Sequence, residues 1–150
     1  MTIVLDIEGT LISNAVSQIP RPGLYKFLEF CNDRFDRIVI YTAVNEVAFR
    51  GLARTLIEQG NIPSWFVDLE YIKWQGNYKD LAFIPNIDLD RVVIVDDREE
   101  YIKPDQKDCW RPILGYNYPY SNCDRELHHL IEQLQTVSCS CCNSSIKRLK

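Results

Sequence analysis

Three short runs, TIVL (2–5), RIVIY (37–41) and RVVIVD (91–96), are nearly continuous in β-branched and aliphatic residues. A strand with one wet face alternates apolar and polar side chains, whereas a strand covered on both faces reads as an unbroken apolar run. The three runs therefore predict the central strands of a parallel sheet. Helical periodicity fills the spaces around them. In RPGLYKFLEFC, entered through Pro22 and Gly23, the residues Leu24, Phe27, Leu28 and Cys31 share one side. In EVAFRGLARTLIEQG, Phe49, Leu52, Ala53, Leu56 and Ile57 share a face, and Gly60 is suited to stop the helix. In SNCDRELHHLIEQLQ, residues of capping type precede an apolar stripe of Leu127, Leu130, Ile131 and Leu134. Alternation of this kind predicts an α/β layered fold with right-handed crossovers. Residues 63–78, PSWFVDLEYIKWQGNY, are aromatic and lose the periodicity, and short strands forming a small flap are expected there.

The chain has 150 residues, of which 46% are hydrophobic and 25% charged, as expected of one globular domain with a real core. That domain is expected to span 1–137, followed at 138–150 by a polar tail, SCSCCNSSIKRLK, whose cysteines suggest metal binding or lipidation less than fraying. No apolar run is long enough to span a bilayer, and no charged lead-in with an apolar signal core begins the sequence. A cytoplasmic protein with six free thiols and no membrane partner is expected. The formal charge of -4 disfavours non-specific binding to nucleic acid.

The strand ends carry the chemistry. In open parallel sheets, ligands bind outside the carboxyl ends of the strands. Asp6 follows the first run, Thr42 the second, and Asp96 and Asp97 close the third, so all four should meet along one rim with Glu8 close by. Taken singly, Asp6 with Glu8 reads as a turn with a cap, and Thr42 is uninformative; together they read as a site. Carboxylates converging on one rim repel, and oxygen-only ligation favours Mg²⁺ completed by a substrate phosphate. One carboxylate is then free to attack phosphorus while a second protonates the leaving oxygen and later activates water. Gly9 permits a sharp turn that offers N–H groups to phosphate, with Thr10 beside it, and Thr42 adds a hydroxyl. A lysine is needed against so much negative charge, and Lys79 and Lys73 are the candidates.

Other chemistries fit poorly. Cys31 with Arg37 and Cys142 with Arg148 have the Cys-x5-Arg spacing of cysteine phosphatases, but neither loop has glycines to wrap a phosphate. His128 and His129 are adjacent and point to different helix faces. No GxSxG elbow or Walker loop is present. Trp65, Tyr71, Trp74 and Tyr78 read as core or flap packing before they read as a substrate platform.

DIEGTL, YTA and VVIVDD resemble the haloacid dehalogenase (HAD) superfamily of aspartyl-phosphate-forming phosphatases. More narrowly, RPGLYKFLEFC, IVIYTA, GNYKDL, VVIVDDRE and DRELHHLIEQL resemble, in order, the capless NIF-type phosphatases, which include phosphatases of the RNA polymerase II C-terminal domain. The resemblance covers roughly Thr2 to Leu134. It implies a Rossmann-like HAD fold with no large cap domain. It further implies Asp6 as nucleophile and metal ligand, and Glu8 as general acid/base with its backbone carbonyl on the metal. Thr42 would bind the phosphoryl oxygens, Lys79 would screen the aspartyl phosphate, Asp96 would ligate Mg²⁺ and Asp97 would support its shell. The implied substrate is a phosphomonoester, first of all phosphoserine or phosphothreonine on a protein. The chain departs from the NIF pattern twice. Glu8 stands where Asp is usual, as it does in enolase-phosphatases and in a NIF-like mitochondrial receptor subunit that mainly binds, and GNYKDL is one residue shorter before its lysine. Those departures motivate a non-catalytic binding module as the alternative reading, with a nucleic-acid end phosphatase as a third.

Overall fold

The computed structural model describes residues 1–137, and the expected tail lies outside the described residues. Five strands, β1 (Thr2–Leu5), β2 (Arg37–Ile40), β3 (Glu70–Tyr71), β4 (Val92–Asp96) and β5 (Trp110–Pro112), form one sheet in the order β3-β2-β1-β4-β5. All four pairings are parallel. The central strand β1 sets Leu5 opposite Ile40 of β2 and Val95 of β4. Asp6 extends that ladder by one bond, its N–H donating to the Val95 carbonyl at 3.1 Å. The residues that leave the three strands therefore emerge at the same level.

The unbroken apolar runs have the expected cause, since both faces of the sheet are covered. Ile3, Leu5, Ile38, Ile40, Val93 and Val95 point to one face, where they meet three helices. These are α1 (Leu24–Arg34), α2 (Glu46–Glu58) and α3 (Glu126–Gln135). Val4, Val39, Val92 and Ile94 point to the other face, which carries no α-helix among the described residues. Short 3-10 turns and loops cover it through Ile72, Leu81, Ile84 and Ile102.

Each helix follows from its sequence. α1 starts after Gly23, whose φ of +83° is the left-handed conformation that a glycine adopts without steric cost. Asn45 caps α2, its side chain accepting from the Ala48 N–H at 2.9 Å, and Gly60 ends it with φ +74°. α3 begins at Glu126, and of the capping-type residues before it Asp124 accepts from the Glu126 N–H at 3.2 Å while also holding an arginine.

The segment 63–78 is not a separate flap of strands. Ser64–Asp68 forms a 3-10 turn against α2, and Glu70–Tyr71 joins the main sheet as its edge strand. Tyr71 stacks on Phe49 with ring centroids 5.9 Å apart and donates its hydroxyl to the Val44 carbonyl at 2.6 Å. The Arg37 guanidinium fixes the register by gripping Glu70 with bonds of 2.8 and 2.7 Å. Strands of two and three residues carry no readable alternation, which is why neither β3 nor β5 is legible in the sequence. The longest connection between strands consecutive in sequence that lacks an α-helix is residues 72–91, too short for a large cap domain.

The helix-bearing face should be the main source of stability. Leu28 is fully buried between α1 and the sheet, and Leu28→Ala should cost about 3 kcal/mol in a denaturant titration. Cys31 lies in the same layer, and burial holds its thiol well above the ordinary range. A thiol reagent followed by peptide mapping should label exposed Cys123 in the native protein and Cys31 only after unfolding.

Candidate active site

Asp6, Asp96 and Asp97 meet where β1 and β4 end, with one oxygen of each within 4.8 Å of the others. Two ionised carboxylates at that separation repel by roughly 3–4 kcal/mol at the effective dielectric of a protein. Lys79 relieves part of this. Its ammonium donates to Asp6 Oδ1 at 2.8 Å and also to Asp96 Oδ2, and all three side chains are buried. Burial is the largest single influence on Lys79 and pulls its pKa down, yet Asp6 and Asp96 together outweigh it and hold the pKa above its ordinary value. Asp96 is pushed up to about 6, by burial first and by the neighbouring Asp6 charge second, against the pull of Lys79. Burial and Asp6 likewise raise Asp97.

The lysine is held from behind. Its backbone N–H donates to the Tyr101 carbonyl at 2.7 Å, and its ammonium lies 5.4 Å from the Trp74 ring and 5.8 Å from the Tyr101 ring. The two rings pack edge to face at 4.7 Å. The shortened GNYKDL motif thus still delivers its lysine to the carboxylates. Lys73, the reserve candidate, is exposed and makes no contact with the three aspartates.

The loop after β1 is more internally bonded than its sequence suggests. Gly9 has φ +73°, and a Cβ there would stand 2.5 Å from Asp97 Oδ2, so only glycine lets the backbone pass the carboxylate. The Gly9 N–H, expected to face a phosphate, instead donates to the Ile12 carbonyl at 2.8 Å and to that of Ser13 at 3.2 Å. Among the described residues, the N–H groups of Ile7 and Glu8 have no protein acceptor. Thr10 is fully buried rather than facing the cleft. Its hydroxyl lies 3.1 Å from Asp6 Oδ2 and 3.3 Å from Asp97 Oδ1, so it orients both carboxylates. Glu8 is half-buried, with Oε1 accepting from the Ala15 N–H at 3.1 Å, and its side chain is not part of the aspartate cluster. Thr42 is buried at the end of β2, and its Oγ1 accepts from the Val44 N–H at 3.3 Å.

These groups open into a cleft of about 260 Å³ whose walls include Asp6, Glu8, Gly9, Thr42 and Asp97. Sequence reading missed six further wall residues: Ser13, Asn14, Arg98, Tyr101, Asn117 and Tyr120. These residues lie in loops without periodicity, and only their polar and aromatic character set them apart. Tyr120 accepts from the Asn14 side chain at 3.3 Å, which joins two of those loops across the cleft mouth. The alternative motifs lie elsewhere. Cys31 is in the core, Arg37 is paired with Glu70, and Cys142 and Arg148 fall outside the described residues. His128 and His129 face Glu132 and Glu126 along α3. Of the aromatic residues, Trp65 and Tyr71 pack against the core, and Trp74 packs against Lys79.

The cluster suits a hard divalent cation. Three carboxylates exceed the one ammonium that bridges Asp6 and Asp96 by two negative charges, and all the ligand atoms are oxygens. Asp6, Asp96 and Asp97 would hold the ion, and the Glu8 carbonyl accepts no hydrogen bond among the described residues.

No curated protein matches the chain. A family described as NLI interacting factor-like phosphatase does match, over residues 1–145. Its members are HAD-type phosphatases, which generally use Mg²⁺, and no helix among the described residues is long and apolar enough to cross a membrane. With the strand order, the strand-end carboxylates and the family match on the same residues, the chain belongs to the NIF family of HAD phosphatases, the phosphoric monoester hydrolases.

Proposed function

We propose that this phosphatase hydrolyses phosphomonoesters through an aspartyl phosphate on Asp6, with Mg²⁺ held by Asp6, Asp96 and Asp97. The observation that carries the reading is the setting of Asp6: one oxygen faces Lys79 and the other Thr10, so the carboxylate is paired, oriented and open to the cleft. Bound there, Mg²⁺ would supply charge stabilisation to the phosphoryl oxygens. An Asp6 oxygen attacks phosphorus, the bond to the leaving oxygen breaks, and a proton from Glu8 goes to that oxygen. Glu8 then takes a proton from water, the water oxygen attacks phosphorus, and the Asp6–phosphorus bond breaks to release phosphate. Thr42 and the unpartnered N–H groups of Ile7 and Glu8 bind the phosphoryl oxygens, while Lys79 limits the charge built up on Asp6 and Asp96.

The substrate class we propose is phosphoserine or phosphothreonine on a protein. The cleft, at about 260 Å³, is small for enclosing a whole metabolite, and no cap stands over it among the described residues. A cytoplasmic setting accords with the free thiols of Cys31, Cys109 and Cys123.

In a generic aryl phosphate assay with Mg²⁺, Asp6→Asn should lower kcat by at least roughly 10³-fold, and equal rates would remove Asp6 from the mechanism. Glu8→Gln should slow turnover by about 10² to 10⁴-fold and accumulate a phosphoenzyme that survives an acid quench but is cleaved by hydroxylamine, whereas Glu8→Asp should keep or raise activity. Lack of turnover on every phosphomonoester, with Mg²⁺ still raising Tm, would favour a binding module. Faster hydrolysis of phosphorylated oligonucleotides than of phosphopeptides would replace the protein substrate.

A further inference from the structure

We propose that Arg21 is a positioning residue for the Asp6 centre. It ties the loop carrying Glu8, Gly9 and Thr10 to the loop carrying Gly115 and Asn117, and thereby sets how Asp6 and Asp97 face each other. This rests on the hydrolase reading above for its kinetic consequence, though not for its geometry.

Arg21 is 1% exposed, and every one of its guanidinium nitrogens is engaged. Nε and Nη2 each donate to one oxygen of Asp124 at 2.9 Å. Nη1 donates to the carbonyls of Thr10 at 3.1 Å and Gly9 at 3.3 Å, and Nη2 donates to the Leu114 carbonyl at 2.7 Å. A guanidinium has five N–H donors in a fixed plane, matching these contacts one for one. The guanidinium also lies 5.3 Å from the Tyr116 ring. Burying an ion pair carries a desolvation cost that apolar residues filling the same space would avoid. What apolar residues lack is a rigid set of directions linking three carbonyls from two loops.

Those carbonyls lie next to the reacting groups. The Gly9 carbonyl also accepts from the Tyr116 N–H at 2.8 Å, which locks the two loops edge to edge. Asp97 sits between them, with Oδ2 2.5 Å from where a Gly9 Cβ would be and 3.1 Å from where a Gly115 Cβ would be. Thr10, whose carbonyl Arg21 holds, carries the hydroxyl shared by Asp6 and Asp97. Movement of either loop would therefore reorient a carboxylate. Lysine at position 21 could pair with Asp124 but has no planar fork to reach the remaining acceptors.

The test compares Arg21→Lys and Asp124→Asn with Leu130→Ala, a core variant in α3 that touches neither loop's hydrogen bonds. Aryl phosphate kinetics with saturating Mg²⁺ are measured well below each Tm, alongside amide hydrogen exchange. Arg21→Lys should lower kcat by about 10- to 100-fold with KM little changed, and Asp124→Asn should do so to a lesser degree. In exchange, Thr10, Leu11 and Ser13 should lose protection while the α1 amides keep theirs. Leu130→Ala should lower Tm and leave kcat unchanged. The proposal is overturned if folded Arg21→Lys turns over at the wild-type rate, or if protection falls equally in α1 and the loop. If the wild type hydrolyses nothing, the hydrolase reading fails by itself, and local loss or retention of loop protection still decides whether Arg21 positions it. If Arg21→Lys does not fold, Asp124→Asn decides by the same two readouts.

Discussion

One buried ammonium allows Asp6 and Asp96 to lie side by side at the ends of adjacent strands. Without the Lys79 charge, the register that brings β1 and β4 level would force two desolvated carboxylates together, and one would take up a proton. With it, the repulsion is partly offset, although Asp96 still feels both burial and Asp6. The lysine is itself tolerable only because it is paired and walled by Trp74 and Tyr101, since an ammonium stripped of water is among the most costly groups to bury. Sheet register, aromatic wall and carboxylate cluster are thus one interdependent arrangement.

The charge balance is incomplete in a directed way. Lys79 approaches Asp6 and Asp96 from the buried side, while Asp97 is more accessible and its nearest partner is a hydroxyl. The remaining negative charge therefore faces the cleft, where a cation and a phosphate would arrive together. Neutral groups such as Asn14, Asn117 and Tyr120 line the cleft wall, so affinity for an anionic substrate would have to come from a bound cation, Lys79, Arg98 and backbone N–H groups.

The central strands, all three helices and the strand-end acids are legible because long periodic segments and charges that interrupt apolar runs leave strong signals. Gly60 and Asn45 behave as their residue types require. What escapes a sequence is the work of single residues whose partners are remote along the chain. Arg21 reads as the entrance to a helix, and nothing local shows that its partners are Asp124 and Leu114. Thr10 and Gly9 are residue types that suit phosphate, so they invite the expectation of substrate contact, whereas the loop closes on itself and takes up their hydrogen-bonding capacity. Tyr71 and Trp65 read as parts of a small flap because two-residue β-pairing is below the reach of any pattern.

The sheet has a thick side and a thin side, and the difference has a bearing on how such a chain can vary. Three packed helices fix the spacing of everything on the first side, where one added residue would rotate an apolar stripe out of contact. The second side is assembled from brief turns that share no common periodicity. A lost residue there shortens a loop without rotating a helical stripe, and the clipped GNYKDL segment still brings its cation to the centre. Length change in this architecture has one permissive surface, and that surface lies directly behind the chemistry.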